Sequence, residues 1–136
     1  MKQLFLFALI ALTLASCSKQ AKLERNLFKK GGEWSISSYK ATEYDNGTLV
    51  YDEVFTNCGT FIFEKDGSGS YSITAGAWTD TGTMRWSNDE KTVTIDGDTF
   101  EVLKNEKNTI VLHSEYTDNS SGTPYEYHDT FELQRK

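Results

Sequence analysis

Few residues in this chain could do acid–base or metal chemistry. It has two histidines, His113 and His128. Both fall on what alternation marks as neighbouring antiparallel strands late in the chain. If Ile110 faces Phe131, the same register sets His113 opposite His128 and Glu115 opposite Glu126, all on one side. Two imidazoles beside carboxylates make a donor set for a divalent transition ion. The plainer reading is the polar outer face of a sheet, and it takes precedence. No metal and no cofactor is therefore assigned, and His113 and His128 stand only as weak metal candidates.

Other chemistry is not cued, so the chain is not expected to be an enzyme. Asp66-Gly67-Ser68-Gly69 has neither the Lys nor the following helix that a phosphate cradle needs. Asp96-Gly97-Asp98 lacks EF-hand spacing. No Ser sits in a nucleophile-elbow context. Cys58 has no nearby sequence cue for a lowered pKa and reads as a small buried residue at a strand start.

The elements that must position these side chains are strands. A short helix is predicted first, over residues 21–30. Leu23, Leu27 and Phe28 form its apolar stripe, Lys29 and Lys30 sit in its last turn, and Gly31 and Gly32 stop it. From Trp34 onward the period changes to two. Asn46-Gly47, Asp66-Gly67 and Asp96-Gly97 punctuate the alternation as tight turns. About eight to ten strands result, and the single Pro, Pro124, leaves them uninterrupted. Short links make neighbours in sequence neighbours in space. The expected fold is all-β: an antiparallel up-and-down meander closed into a small barrel of about eight strands, which removes the exposed edges. A sandwich would need long crossing connections. Trp34, Phe61, Phe63, Tyr71, Trp86, Phe100 and Phe131 form the inward set. These rings either fill an eight-stranded interior or line an apolar pocket with Tyr71 or Tyr127 as a polar handle.

The N-terminal residues read as an export signal. Lys2 precedes an apolar run over residues 4–14, too short to span a bilayer. Leu14-Ala15-Ser16-Cys17 then resembles the bacterial lipobox, in which the chain is cut before the Cys and the Cys carries the lipid. Residues 1–16 are thus expected to be a lipoprotein signal peptide. Residues 17–31 would be a lipidated tether and short helix, and residues 32–136 the barrel domain. Stable anchoring takes about two lipid signals, and a lipobox Cys is expected to carry three chains, palmitate among them. The same resemblance implies the outer membrane of the cell envelope, since in that family an Asp after the Cys retains the protein at the inner membrane and this chain has Ser18 there. Losing Lys2 leaves 13 of the 14 basic residues against 20 acidic ones, a formal charge of −7. Such a chain is a poor candidate for nucleic acid. It also argues against the domain lying flat on anionic lipid.

Gly32-Glu33-Trp34, the stretch Phe61-Ile62-Phe63-Glu64-Lys65-Asp66-Gly67-Ser68-Gly69 and the closing Phe131-Glu132-Leu133-Gln134-Arg135 together resemble the small lipocalin-like lipoproteins of Gram-negative bacteria. The resemblance implies a barrel whose first-strand Trp packs at the closed end under an Arg of the last strand. Phe131, Leu133 and Arg135 share one face of that strand, so Trp34 and Arg135 form a possible structural pair. The alternative for Arg135 is a solvated terminal charge. The family's second motif, Thr-Asp-x-x-x-Tyr, has no copy, since Thr117-Asp118 leads into a polar loop. The implied function is a membrane-anchored binder of a small apolar ligand, in or at the mouth of the barrel. The alternative is a non-catalytic interaction module with a filled barrel, contacting another envelope protein through loops such as residues 117–124.

Overall fold

The computed structural model describes residues 19–136. The signal-peptide and lipid-attachment readings, Cys17 included, lie outside the described residues. Helix α1 covers residues 19–28 and ends in a tight helical turn, Lys29–Gly31. Lys30 already has a left-handed backbone, with φ 55°, so the helix stops before Gly31 and Gly32. Its buried stripe is Leu23 and Leu27, with Phe28 packed alongside.

Eight strands follow: β1 (Glu33–Asp45), β2 (Thr48–Phe63), β3 (Ser68–Ala75), β4 (Trp78–Asn88), β5 (Thr92–Ile95), β6 (Asp98–Asn105), β7 (Thr109–Asp118) and β8 (Tyr125–Arg135). Each pairs antiparallel with the next, and β8 returns to β1, so the sheet closes into an up-and-down barrel with no free edge. The count falls at the low end of the sequence range for a local reason. Residues 49–55 and 60–64, which alternation suggests as separate strands, fall together in one long, bent β2, except that Glu64 lies just past its end. The ladder slips between Ile36 and Ser38 of β1. Opposite that slip Asn57 takes φ 50° and Gly59 takes φ 149°. A bulge of this kind bends a strand and sharpens its twist without ending it. Gly76 lies in the β3–β4 turn with φ 61°.

One end of the barrel is plugged. Leu23 and Leu27 of α1 meet Trp34, Phe63, Ile110 and Leu133, all essentially inaccessible to water. Cys58 is buried near the bulge, and burial pushes its thiol pKa up, away from thiolate. The other end is framed by the turns at Asn46-Gly47, Gly76-Ala77 and Asp96-Gly97 and by residues 119–124. The amide of Asn46 donates to the Pro124 carbonyl at 2.9 Å and ties two of these together.

Candidate functional site

Three groups of residues stand out in this barrel, at its plugged end, on its outer face and at its open mouth. At the plugged end the guanidinium carbon of Arg135 lies 4.1 Å from the Trp34 ring centroid. The same guanidinium donates to the Asn26 and Lys29 carbonyls at 2.6 and 2.7 Å and to the Lys107 carbonyl at 3.0 Å. It therefore binds the carbonyl end of α1, where a cation is electrostatically favoured. The Trp34 indole N–H donates to the Leu27 carbonyl at 2.9 Å. These contacts make the pair a clamp between helix and barrel.

The register on β7 and β8 corrects the sequence reading. Ile110 pairs with Leu133 rather than Phe131, so His113 stands opposite Thr130 and His128 opposite Glu115. Glu126 faces Thr117 rather than Glu115. The slip is two residues, an even number, so it keeps every side chain on its face. The inward set is Leu112 and Phe131, and the two histidines remain outside, with ring centroids 6.1 Å apart.

Inside, the aromatic residues form a floor. Phe61 meets Phe63 at 5.9 Å and Phe131 at 5.7 Å between centroids, Phe63 meets Trp86 at 5.5 Å, and Phe100 meets Phe131 at 6.1 Å. The Trp86 indole N–H is satisfied by the Glu64 and Ser68 carbonyls. Phe61, Phe63, Trp86 and Phe131, read from sequence as possible ligand-lining residues, are thus packed mainly against one another. Tyr71 and Phe100 are only partly buried, and Tyr127 is exposed at the rim.

Above this floor the interior changes character. Tyr39 stacks on Phe131 with centroids 4.5 Å apart and donates its hydroxyl to Asp129 at 2.7 Å. Tyr71 donates to Asp80 at 3.2 Å, Tyr51 to Glu53 at 2.9 Å and Tyr125 to Glu43 at 2.5 Å. The pairings Tyr39↔Phe131, Tyr39↔Phe55, Tyr71↔Phe61 and Asp80↔Ile73 put these residues on the inward parity of their strands. Four tyrosine–carboxylate pairs from five strands therefore converge on the open half. Neither Lys nor Arg occupies an inward position there among the described residues. Only Tyr71 of this set is singled out by the sequence reading. A usable signal was Tyr51-Asp52-Glu53, whose two-residue spacing sets a tyrosine beside an acid on one strand face.

The pairs have a measurable electrostatic consequence. Burial, with the Asp129 bond second, raises the Tyr39 pKa well above the ordinary phenol value. Its bond to Glu43, then burial, pushes Tyr125 up to about 12. Tyr71 is raised by burial and by Asp80, and Tyr51 chiefly by its bond to Glu53. A raised acid pKa means the folded chain holds protons that the unfolded chain has released above about pH 10. The stabilisation is complete below that pH and is lost as pH rises toward 12. Absorbance titration of the tyrosinates is expected to start late for these residues, and melting temperature to fall steeply above about pH 10. Tyr125→Phe, which removes one such proton, is expected to flatten that fall.

No protein-family model matches the chain, and no curated protein matches it. Among solved structures it is similar to a deswapped triple mutant of bovine odorant-binding protein, at 16% identity and a TM-score of 0.41, over 74% of this chain and 71% of that one. It is also similar to a multidomain protein from Bacteroides ovatus that includes a DUF1735 segment. There the identity is 12% and the TM-score 0.39, over 77% of this chain and 48% of that one.

Proposed function

We propose that the protein is a non-catalytic, lipid-anchored binding protein of the cell envelope, and that it takes a small ligand at the mouth of the barrel rather than deep inside. The ligand has an apolar or aromatic body and one cationic group. The observation that carries this reading is the ring of tyrosine–carboxylate pairs above a packed aromatic floor. Each tyrosine occupies one lone-pair site of its carboxylate, which leaves others for a ligand ammonium. Tyrosine faces beside those acids favour a cation further, and Tyr39 and Phe100, both only partly buried, offer the apolar surface that such pockets require. The acidic mouth narrows the apolar ligand expected from sequence to one with a positive end.

The tether at Cys17 leads directly into α1. Around α1, Lys22, Arg25, Lys29 and Lys107 line a surface groove. Basic charge at the plugged end and acidic charge at the mouth favour a barrel standing with its plug toward an anionic outer-membrane surface and its mouth away from it. The second reading, an interaction module, draws on the exposed Leu49 and Val50 at the β1–β2 hairpin tip and Trp78 after the β3–β4 turn.

The test is a fluorescence titration of the full chain in detergent with phenethylammonium, against its matched anion 3-phenylpropionate and neutral ethylbenzene. The cation is expected to bind preferentially. Asp129→Asn keeps an acceptor for Tyr39 but removes the charge, and it is expected to weaken that binding about tenfold. Equal binding of the three compounds, or no change in Asp129→Asn, would overturn the reading. Recovery of a protein partner and no small molecule from native membranes would favour the interaction module.

A further inference from the structure

We propose that Glu115, His113 and His128 form a binding site for one divalent transition-metal ion of the zinc type on the outer face of the barrel, separate from the mouth. His113 Nε2 lies 3.0 Å from Glu115 Oε1, and His128 Nδ1 lies 3.6 Å from the same oxygen. All three candidate ligand atoms fall within 4.8 Å of one another. A zinc ion bonded at about 2.0–2.2 Å holds tetrahedral ligand atoms about 3.3 Å apart, so small side-chain rotations bring this trio onto it. Two imidazoles and a carboxylate suit zinc, copper or nickel rather than magnesium or calcium.

The backbone holds the trio in place. Glu115 and His128 are a directly paired couple on β7 and β8. His113 precedes Glu115 by two residues and so shares its face. The far nitrogens are also held. His113 Nδ1 is 2.9 Å from the Thr130 hydroxyl, and His128 Nε2 is 3.3 Å from Glu126 Oε2. With a metal on each near nitrogen, each far nitrogen carries its proton and donates it to these oxygens. That outer arrangement fixes the tautomer and the ring plane of metal-bound histidines. The Tyr44 ring, 5.2 Å from that of His128, walls one side. The histidine side chains are 21% and 27% exposed and Glu115 63%, so an ion reaches the site from solvent. Three protein ligands leave a coordination position for water.

The experiment titrates the full chain in detergent with Zn2+ by calorimetry and with Cu2+ by electron paramagnetic resonance. One ion per chain is expected. Because the chain has only two histidines, the copper spectrum should show coupling to two imidazole nitrogens in the wild type and to one in His113→Gln or His128→Gln. Either substitution should weaken Zn2+ binding more than about tenfold, and Thr130→Val, which leaves all three ligands, about tenfold. Circular dichroism checks that each variant is folded. Should a variant fail to fold, protection of both wild-type histidines by Zn2+ against diethylpyrocarbonate replaces it as the readout. Binding weaker than about 1 mM, equal affinity in the histidine variants, absence of nitrogen coupling, or absence of protection would overturn the proposal.

Discussion

Trp34→Ala is expected to cost about 3–5 kcal/mol of stability, the range for truncating a large buried aromatic side chain. Trp34 is 0% exposed at the point where α1 meets the barrel. Its loss leaves a cavity bordered by Leu27, Phe63 and Leu133, which the rigid barrel cannot collapse to fill. It also leaves the Leu27 carbonyl without the indole N–H and Arg135 without its ring. Domains of this size hold only about 5–15 kcal/mol in total, so the variant stands near the edge of folding. Thermal melting should fall by roughly 10–20 °C. Trp34→Phe retains much of the volume but not the N–H, and it should recover more than half of that loss. A melting temperature within about 2 °C of wild type for Trp34→Ala would mean that α1 does not plug the barrel.

The plugged end was legible in the sequence because its residues have few alternatives. A glycine–x–tryptophan after a helix stop, and an arginine in parity with Phe131 and Leu133, constrain each other across the whole chain. The eight-strand meander was legible because the turns at Asn46-Gly47, Asp66-Gly67 and Asp96-Gly97 demand backbone that few residues tolerate. The β7–β8 register was not. No short turn pins it, since these strands are joined by residues 119–124, and an even slip leaves the apolar pattern unchanged. Alternation therefore assigned the correct face to His113 and His128 but the wrong partners. The mouth was less legible still. In the plugged half one face is apolar and the other polar, so parity distinguishes inside from outside. In the open half Tyr39, Glu43, Tyr51, Glu53 and Asp129 are polar on the inward face as well. Hydropathy then carries no signal for which side is enclosed. Only closure of β8 onto β1 turns these residues toward one another.

Gly32→Ala is expected to damage the protein about as severely as Trp34→Ala, although it adds a single methyl group. The reason is where that methyl would go. A Cβ on Gly32 would lie 1.8 Å from the Phe63 carbonyl oxygen and 2.8 Å from its carbonyl carbon. Both are backbone atoms at the end of β2, so no side-chain rotation relieves the overlap. The close approach is itself structural, because the Gly32 carbonyl accepts the Phe63 amide at 2.9 Å. Gly32 also has φ 66°, a left-handed backbone that costs a residue with a Cβ about 1–2 kcal/mol before any clash. Relief requires β1 to move away from Phe63, which breaks that bond and shifts Trp34 two residues later, so the plug is lost together with the turn. By contrast, Gly31 has φ 85° with open space around its Cβ position, so Gly31→Ala should cost only the backbone term, about 1–2 kcal/mol. The two alanine variants, melted side by side, separate strain from collision. Gly32→Ala should lose several times more stability than Gly31→Ala. Equal losses would show that the Gly32–Phe63 contact yields without cost, and that the first strand is not seated where the helix leaves it.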